Sequence, residues 1–241
     1  MRLQQLGELN ATITGGTDRE GGGDGPVVVL CHGFGAPGDD LVPLWRVIDV
    51  PHEVRFVFPQ APLTPEEFAP FGGRAWWRLD TAAMQQALAG GERPDRSDEV
   101  PEGLAPAHAA LVSVLDAVEQ ELGVPGERIV LGGFSQGAMV SCDVALREER
   151  PLAGLVMLSG TLLAQSLWRP RVGARGALPI FQSHGKRDPL LPFDAAERLR
   201  DMLREEGCQV EWVDFFGAHE IPLNVTEALG PFLRRCFGLQ S

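Results

Sequence analysis

No apolar stretch in this 241-residue chain reaches the roughly 18–20 residues that a membrane-spanning helix requires. The opening 25 residues are polar and glycine-rich and lack the apolar segment of a secretory signal, so the expectation is a cytoplasmic protein. Basic residues are scarce: 21 Lys and Arg stand against 33 Asp and Glu, a formal net charge of −12. Such a surface repels phosphate backbones and anionic headgroups, which excludes nucleic acid as an expected partner. Cysteines are few and scattered. Cys31, Cys142, Cys208 and Cys236 form no CxxC pair, and neither they nor the histidines show metal-ligand spacing. All four are expected to be reduced structural residues, and no metal is expected. Internal repeats are absent, and so are the G-x-x-x-x-G-K-[ST] and G-x-G-x-x-G loops that cradle phosphates.

What is present is alternation. Apolar runs rich in β-branched residues recur at 27–31, 54–58, 128–131, 152–158, 178–182 and 209–216, as expected of strands buried on both faces. Between them lie helical faces: Leu111, Leu115, Val118 and Leu122; then Phe193, Ala196, Leu199 and Leu203; then Val225, Leu229, Phe232, Leu233 and Cys236, with Pro231 expected to kink the last. Strands alternating with helices predict a doubly wound α/β domain over residues 1–241, its mostly parallel sheet covered by helices on both faces. Residues 15–25 read as a turn or frayed connection. Residues 60–103, rich in Pro, Gly and charge, read as a substrate-side excursion with a mobile tip.

The strongest chemical signal is Gly133-Phe134-Ser135-Gln136-Gly137, which follows a predicted strand and opens a predicted helix. That is the context of a nucleophile elbow, in which a strained turn projects the serine beside a helix N-terminus and small flanking residues let backbones pass closely. A serine nucleophile needs a base, and the base needs an orienting acid. Downstream only His184 and His219 are available. His219 is preferred because it follows the last strand and precedes the last helix, and His184 is expected to bond locally. Among the acids, Asp143, Asp194 and Asp201 fall in predicted helices and are expected to be solvated, and Asp214 lies inside a strand. Asp188, in the turn after the strand at 178–182, is the natural partner for His219. The expected oxyanion donors are the backbone N–H groups of Gln136 and of Phe34, the latter in the turn Cys31-His32-Gly33-Phe34-Gly35. His32 is expected to bond structurally within that turn, and His52 and His108 to lie on the surface.

These residues resemble the carboxylesterase/acyl-protein thioesterase family of α/β-hydrolases, also called phospholipase/carboxylesterase. Four motifs carry the resemblance in order: Leu30-Cys31-His32-Gly33-Phe34-Gly35, Gly133-Phe134-Ser135-Gln136-Gly137-Ala138, Ser183-His184-Gly185 with Asp188-Pro189, and Gly217-Ala218-His219-Glu220-Ile221. Phe58-Pro59-Gln60-Ala61-Pro62 is similar as well. The resemblance implies the α/β-hydrolase fold, the triad Ser135, Asp188 and His219, and the Phe34 and Gln136 amides as oxyanion hole. The segment Ala75-Trp76-Trp77-Arg78-Leu79-Asp80 resembles the family's aromatic-acid segment near the acyl pocket, with Arg78 where an acidic residue often stands. Residues 90–103 look like an addition to the minimal pattern. Trp76 and Trp77 either line an apolar acyl site or pack beneath the loop.

The expected activity is hydrolysis of carboxylic esters or thioesters through an acyl-enzyme, with no cofactor. The expected partner is a small or lipid-like acyl ester, or an acylated protein. Peptidase or lactone hydrolysis on the same fold is the enzymatic alternative, and a low-turnover ligand receptor with a retained hydrolase pocket is the non-enzymatic one.

Overall fold

The computed structural model describes residues 1–82, 86 and 95–239. Of the excursion expected over 60–103, residues 83–85 and 87–94 therefore lie outside the described residues. The elements that position the site are strands β1 (Arg2–Leu6), β2 (Leu9–Gly16), β3 (Glu20–Gly22), β4 (Val27–Cys31), β5 (Arg55–Pro59), β6 (Ile129–Phe134), β7 (Gly154–Leu158), β8 (Pro179–Gly185) and β9 (Gln209–Phe215). The helices are α1 (Leu104–Glu121), α2 (Gln136–Arg147), α3 (Gln165–Val172), α4 (Phe193–Glu205) and α5 (Leu223–Phe237). The strands form one sheet in the order β1-β2-β5-β4-β6-β7-β8-β9, with β3 paired to β2. From β5 to β9 every pairing is parallel, while β1–β2 and β2–β5 are antiparallel.

The apolar runs are continuous because both sheet faces are covered. Successive residues of one strand enter opposite cores: Val27, Val29 and Cys31 pack with Leu131, Met157 and the helices α1 to α4. Val28 and Leu30 pack with Val130, Val156, Phe181 and α5 on the other side. Period-two side-chain alternation buried twice over yields an unbroken hydrophobic run in sequence. No described helix is long and apolar enough to cross a membrane.

Three sequence expectations need correction. Ahead of residue 27, where the sequence indicates no strand, the chain forms a hairpin: β1 and β2 pair from Arg2↔Ile13 to Leu6↔Leu9, and Leu9, Ala11 and Ile13 are buried, so the stretch 15–25 is not simply a turn or frayed connection. Residues 15–16 continue β2, and 20–22 form β3. The turn at Gly7 has φ +56°, and a Cβ there would collide with the Ser113 carbonyl, so glycine is required. A helix not expected from the sequence, α3, lies against α2. Finally, His108 and Asp143 are not surface residues. Helix α2 is buried from Gln136 to Leu146, so Asp143 has no outward face and sits at 0% exposure.

That buried carboxylate is satisfied by its neighbours. Asp143 accepts from His108 Nδ1–H at 2.7 Å, from Arg147 at 2.9 Å and from Trp168 Nε1–H at 2.8 Å. His108 Nε2 faces Glu148 at 2.8 Å, so both ring nitrogens meet carboxylates and the imidazolium fits best. Burial opposes that charge, but the hydrogen bonds to Asp143 and Glu148 outweigh it and raise the His108 pKa above the ordinary histidine value. The cluster ties α1, α2 and α3 together behind the elbow helix. Removing one partner strands the other charges in a dry site, so Asp143→Ala is expected to cost about 3–5 kcal/mol in urea unfolding. Because the folded pKa of His108 is raised, its contribution is complete below the unfolded value and is lost as pH climbs through the folded one. The unfolding penalty of His108→Gln is therefore expected to be larger at pH 6 than at pH 9.

Candidate active site

Strand β6 delivers Phe134 to the carboxyl edge of the sheet, and the chain reverses at Ser135 into α2. Ser135 holds φ +55° and ψ −120°, a conformation an L-residue adopts only when its surroundings impose it. They do so here by close approach. A Cβ on Gly133 would stand 2.5 Å from the Cys31 carbonyl oxygen, and one on Gly137 would collide with that same oxygen. The Ser135 N–H donates to the Leu158 carbonyl at 2.8 Å, pinning the turn to the end of β7. Gln136 is the first helical residue, so its N–H has no intrahelical acceptor and contributes to the positive end of the helix dipole.

The turn after β4 packs directly on the elbow, since a Cβ on Gly33 would lie 3.3 Å from that of Ser135. His32 organises this turn. Its Nδ1–H donates to the Gly33 carbonyl at 2.8 Å and its Nε2 accepts the Ala61 N–H at 3.1 Å. Burial pushes its pKa down to about 4, so the ring is neutral and structural. Gly35, at φ +75°, donates to the Arg74 carbonyl at 2.8 Å, and Arg74 N–H returns to Ala36 at 2.9 Å. Among the described residues, neither the Phe34 nor the Gln136 backbone N–H has an acceptor within the protein.

The Gln136 side chain has a role that sequence reasoning missed. Its Oε1 accepts the Trp76 N–H at 2.8 Å and its Nε2 donates to the Trp77 carbonyl at 2.9 Å. Trp76 Nε1–H then donates to the His32 carbonyl at 3.0 Å. The elbow, the 74–77 strap and the β4 turn are thus closed into one hydrogen-bonded frame. Trp76 and Trp77 are each 1% exposed and belong to the core. The signal was present as a polar, bidentate side chain beside Ser135, but its partners lie some 60 residues away.

Asp188 and His219 are brought together by two loops laced side by side. Lys186 N–H bonds to Phe215 O at 2.8 Å and Arg187 N–H to Gly217 O at 2.9 Å, and a Cβ on Gly185 would collide with the Ala218 carbonyl. His219 Nδ1–H donates to Asp188 Oδ2 at 2.6 Å. Asp188 Oδ1 accepts the Leu190 and Leu191 N–H groups at 2.8 and 2.9 Å. Burial would raise the pKa of this carboxyl, but the His219 bond and the two amides outweigh it and leave it below the ordinary aspartate value. The His219 ring packs against Phe134, the residue before Ser135, with centroids 4.7 Å apart. No hydrogen bond between Ser135 Oγ and His219 Nε2 is formed among the described residues; in unliganded sites such bonds are often long and tighten when substrate binds. Asp194 and Asp201 are exposed as expected, and Asp214 pairs with Lys186.

The frame around Gln136 gives a direct expectation. Gln136→Met keeps the volume but leaves the Trp76 N–H and Trp77 carbonyl unpaired in a dry site, each costing about 1–3 kcal/mol. Chemical unfolding of the variant is expected to show a loss of at least about 2 kcal/mol.

Comparison with known proteins places the chain in a family. The family model described as phospholipase/carboxylesterase matches residues 20–237. Acyl-protein thioesterase 1 of Neurospora crassa is 30% identical over 215 residues, covering 86% of this chain and 84% of that protein. The Gibberella zeae acyl-protein thioesterase 1 is 28% identical, covering 86% and 89%. Among solved structures, esterase PE8 superposes with a TM-score of 0.77 at 25% identity, covering 98% of this chain and all of that one (100%). Zea mays acyl-protein thioesterase 2 shares the fold, with a TM-score of 0.70 at 21% identity and coverage of 95% and 99%. The fold is that of the α/β-hydrolases, and with the family model spanning nearly all of it, the chain belongs to the phospholipase/carboxylesterase family and is an enzyme hydrolysing carboxylic esters or thioesters.

Proposed function

We propose that Ser135, His219 and Asp188 form a catalytic triad that cleaves esters or thioesters of lipid-like acyl groups, acylated proteins included, through an acyl-enzyme. The observation that carries this is the 2.6 Å bond from His219 Nδ1–H to a buried, ionised Asp188, on an imidazole packed beside the elbow. That bond fixes the tautomer with a free lone pair on Nε2. In the reaction, Nε2 takes the Ser135 hydroxyl proton as Oγ attacks the carbonyl carbon, and Asp188 offsets the imidazolium charge. The tetrahedral oxyanion is held by the Phe34 and Gln136 N–H groups. Collapse expels the alcohol or thiol, which receives the proton from His219, and water repeats the sequence in reverse to release the acid. Trp76 and Trp77, buried in the core, serve substrate binding indirectly: their backbones and the Trp76 indole hold the 74–77 strap against Gln136 and His32 beside the elbow. Support for an acyl-thioester substrate comes from the relatives named acyl-protein thioesterase.

A fluorophosphonate probe is expected to label Ser135, and Ser135→Ala is expected to lower turnover of p-nitrophenyl esters by roughly 10⁶-fold. Near-normal turnover by that variant would remove Ser135 from the mechanism. General-base catalysis needs a neutral imidazole, so kcat/KM is expected to fall on acidification, while the Asp188 carboxyl, held below the ordinary aspartate value by its donors, stays ionised. A panel of aryl esters of increasing acyl length, set beside thioester, peptide and lactone substrates, ranks the acyl and leaving-group preferences.

A further inference from the structure

Of the buried titratable side chains that the mechanism above leaves unused, one lies against the proposed triad carboxylate. His184 ends β8 at 0% exposure, and its Nε2 lies 3.0 Å from the Leu191 carbonyl oxygen and 3.4 Å from Asp188 Oδ2. A carbonyl can only accept, so the bond to Leu191 requires Nε2 to carry the proton: His184 is the Nε2–H tautomer and donates there, with Asp188 Oδ2 lying beside the same N–H. Burial, the largest influence, holds its pKa below the ordinary histidine value despite the pull of the Leu191 carbonyl and Asp188. The ring is therefore a neutral donor. Its Nδ1 has no hydrogen-bond partner among the described residues. The Phe193 ring packs 6.1 Å away, and the charged or titratable groups that act on His184 are Asp188 and His219, with carbonyls from Leu191 and Gly160 completing its polar surroundings.

Asp188 Oδ2 is thus faced by two imidazoles, His219 at 2.6 Å and His184 at 3.4 Å. We propose that His184 is a positioning residue for the reaction: its Nε2–H clamps the 188–191 turn through the Leu191 carbonyl and stands beside the Asp188 Oδ2 that His219 bonds, so that it sets both the aim and the effective charge of the carboxylate behind the base. This rests on the triad reading. The positive end of an N–H dipole 3.4 Å from Oδ2 offsets part of the negative charge that would otherwise stabilise the His219 imidazolium. Removing it strengthens that stabilisation, so the base holds its proton to higher pH, while the loosened turn orients the ring less well.

The two amide residues separate this role from packing. A Gln side-chain nitrogen falls where imidazole Nε2 stands, whereas an Asn nitrogen falls near Nδ1 and cannot reach Asp188. His184→Asn and His184→Phe are expected to lower kcat about tenfold with KM within about twofold, and to move the acid limb of kcat/KM upward by about half a pH unit. His184→Gln is expected to return the limb to the wild-type position and to recover most of kcat. An Asn profile that coincides with wild type, or a Gln profile displaced as far as Asn, overturns the proposal; the Asn–Gln comparison decides even where the Phe variant fails to fold. Fluorophosphonate labelling of the wild-type protein reads the triad separately. Absence of labelling at Ser135 refutes the triad itself, whereas labelling with an unmoved acid limb in the Asn variant refutes only the role of His184.

Discussion

The site depends on one close approach: the carbonyl of Cys31, at the end of β4, lies where any side chain on Gly133 or Gly137 would have to stand. Parallel neighbours β4 and β6 run in register from Val27↔Ile129 to Cys31↔Gly133, so both strands end at the same level. The next chain segments must then diverge within a residue or two. Ser135 absorbs the reversal at φ +55°, at a cost of about 1–3 kcal/mol. The surrounding core over-determines that cost, because α2 is buried along nearly its whole length and cannot shift to relieve it. The same contact that strains the serine brings the Phe34 turn alongside the Gln136 amide.

Much of this was legible because each side chain proposed for the triad sits just past a strand, and strands buried on both faces announce themselves as apolar runs. The order Ser135, Asp188, His219 then follows from which loops share the carboxyl edge. The N-terminal hairpin was hidden for a physical reason. Its buried residues Leu9, Ala11 and Ile13 alternate with Asn10 and Thr12, and the glycines at 15 and 16 allow positive φ within β2 rather than marking its fraying. Asp143 and His108 were misplaced because a helical aspartate carries no local mark of burial. Only the packing of α1 and α3 against α2 reveals that it is enclosed with partners. The Gln136 frame was invisible for a similar reason, since its hydrogen bonds join segments far apart in the chain.

Three buried or half-buried histidines illustrate how environment rather than sequence context assigns protonation. His32 meets one carbonyl and one N–H, so a neutral ring satisfies both and burial drives its pKa down to about 4. His108 meets carboxylates at both nitrogens, and their hydrogen bonds overcome burial in favour of the charged ring. His184 meets a carbonyl and a shared carboxylate oxygen through one nitrogen only, and burial keeps it neutral. The count of acceptors against donors around each ring decides the outcome.

The same accounting explains why Asp188 suits the role proposed for it. A buried carboxylate without donors would take up a proton and lose the charge that orients an imidazolium. Asp188 collects two backbone amides on Oδ1 and imidazole N–H on Oδ2, so it remains ionised in a dry site. Asp143 is equally buried and well supplied with donors, but its partners are the helices behind the elbow, and its charge is spent holding α1 and α3 in place. Two enclosed carboxylates therefore divide the labour by position alone. The one at the carboxyl edge of the sheet lies on the side of Ser135, and the one beneath the helix anchors the scaffold that keeps Ser135 strained.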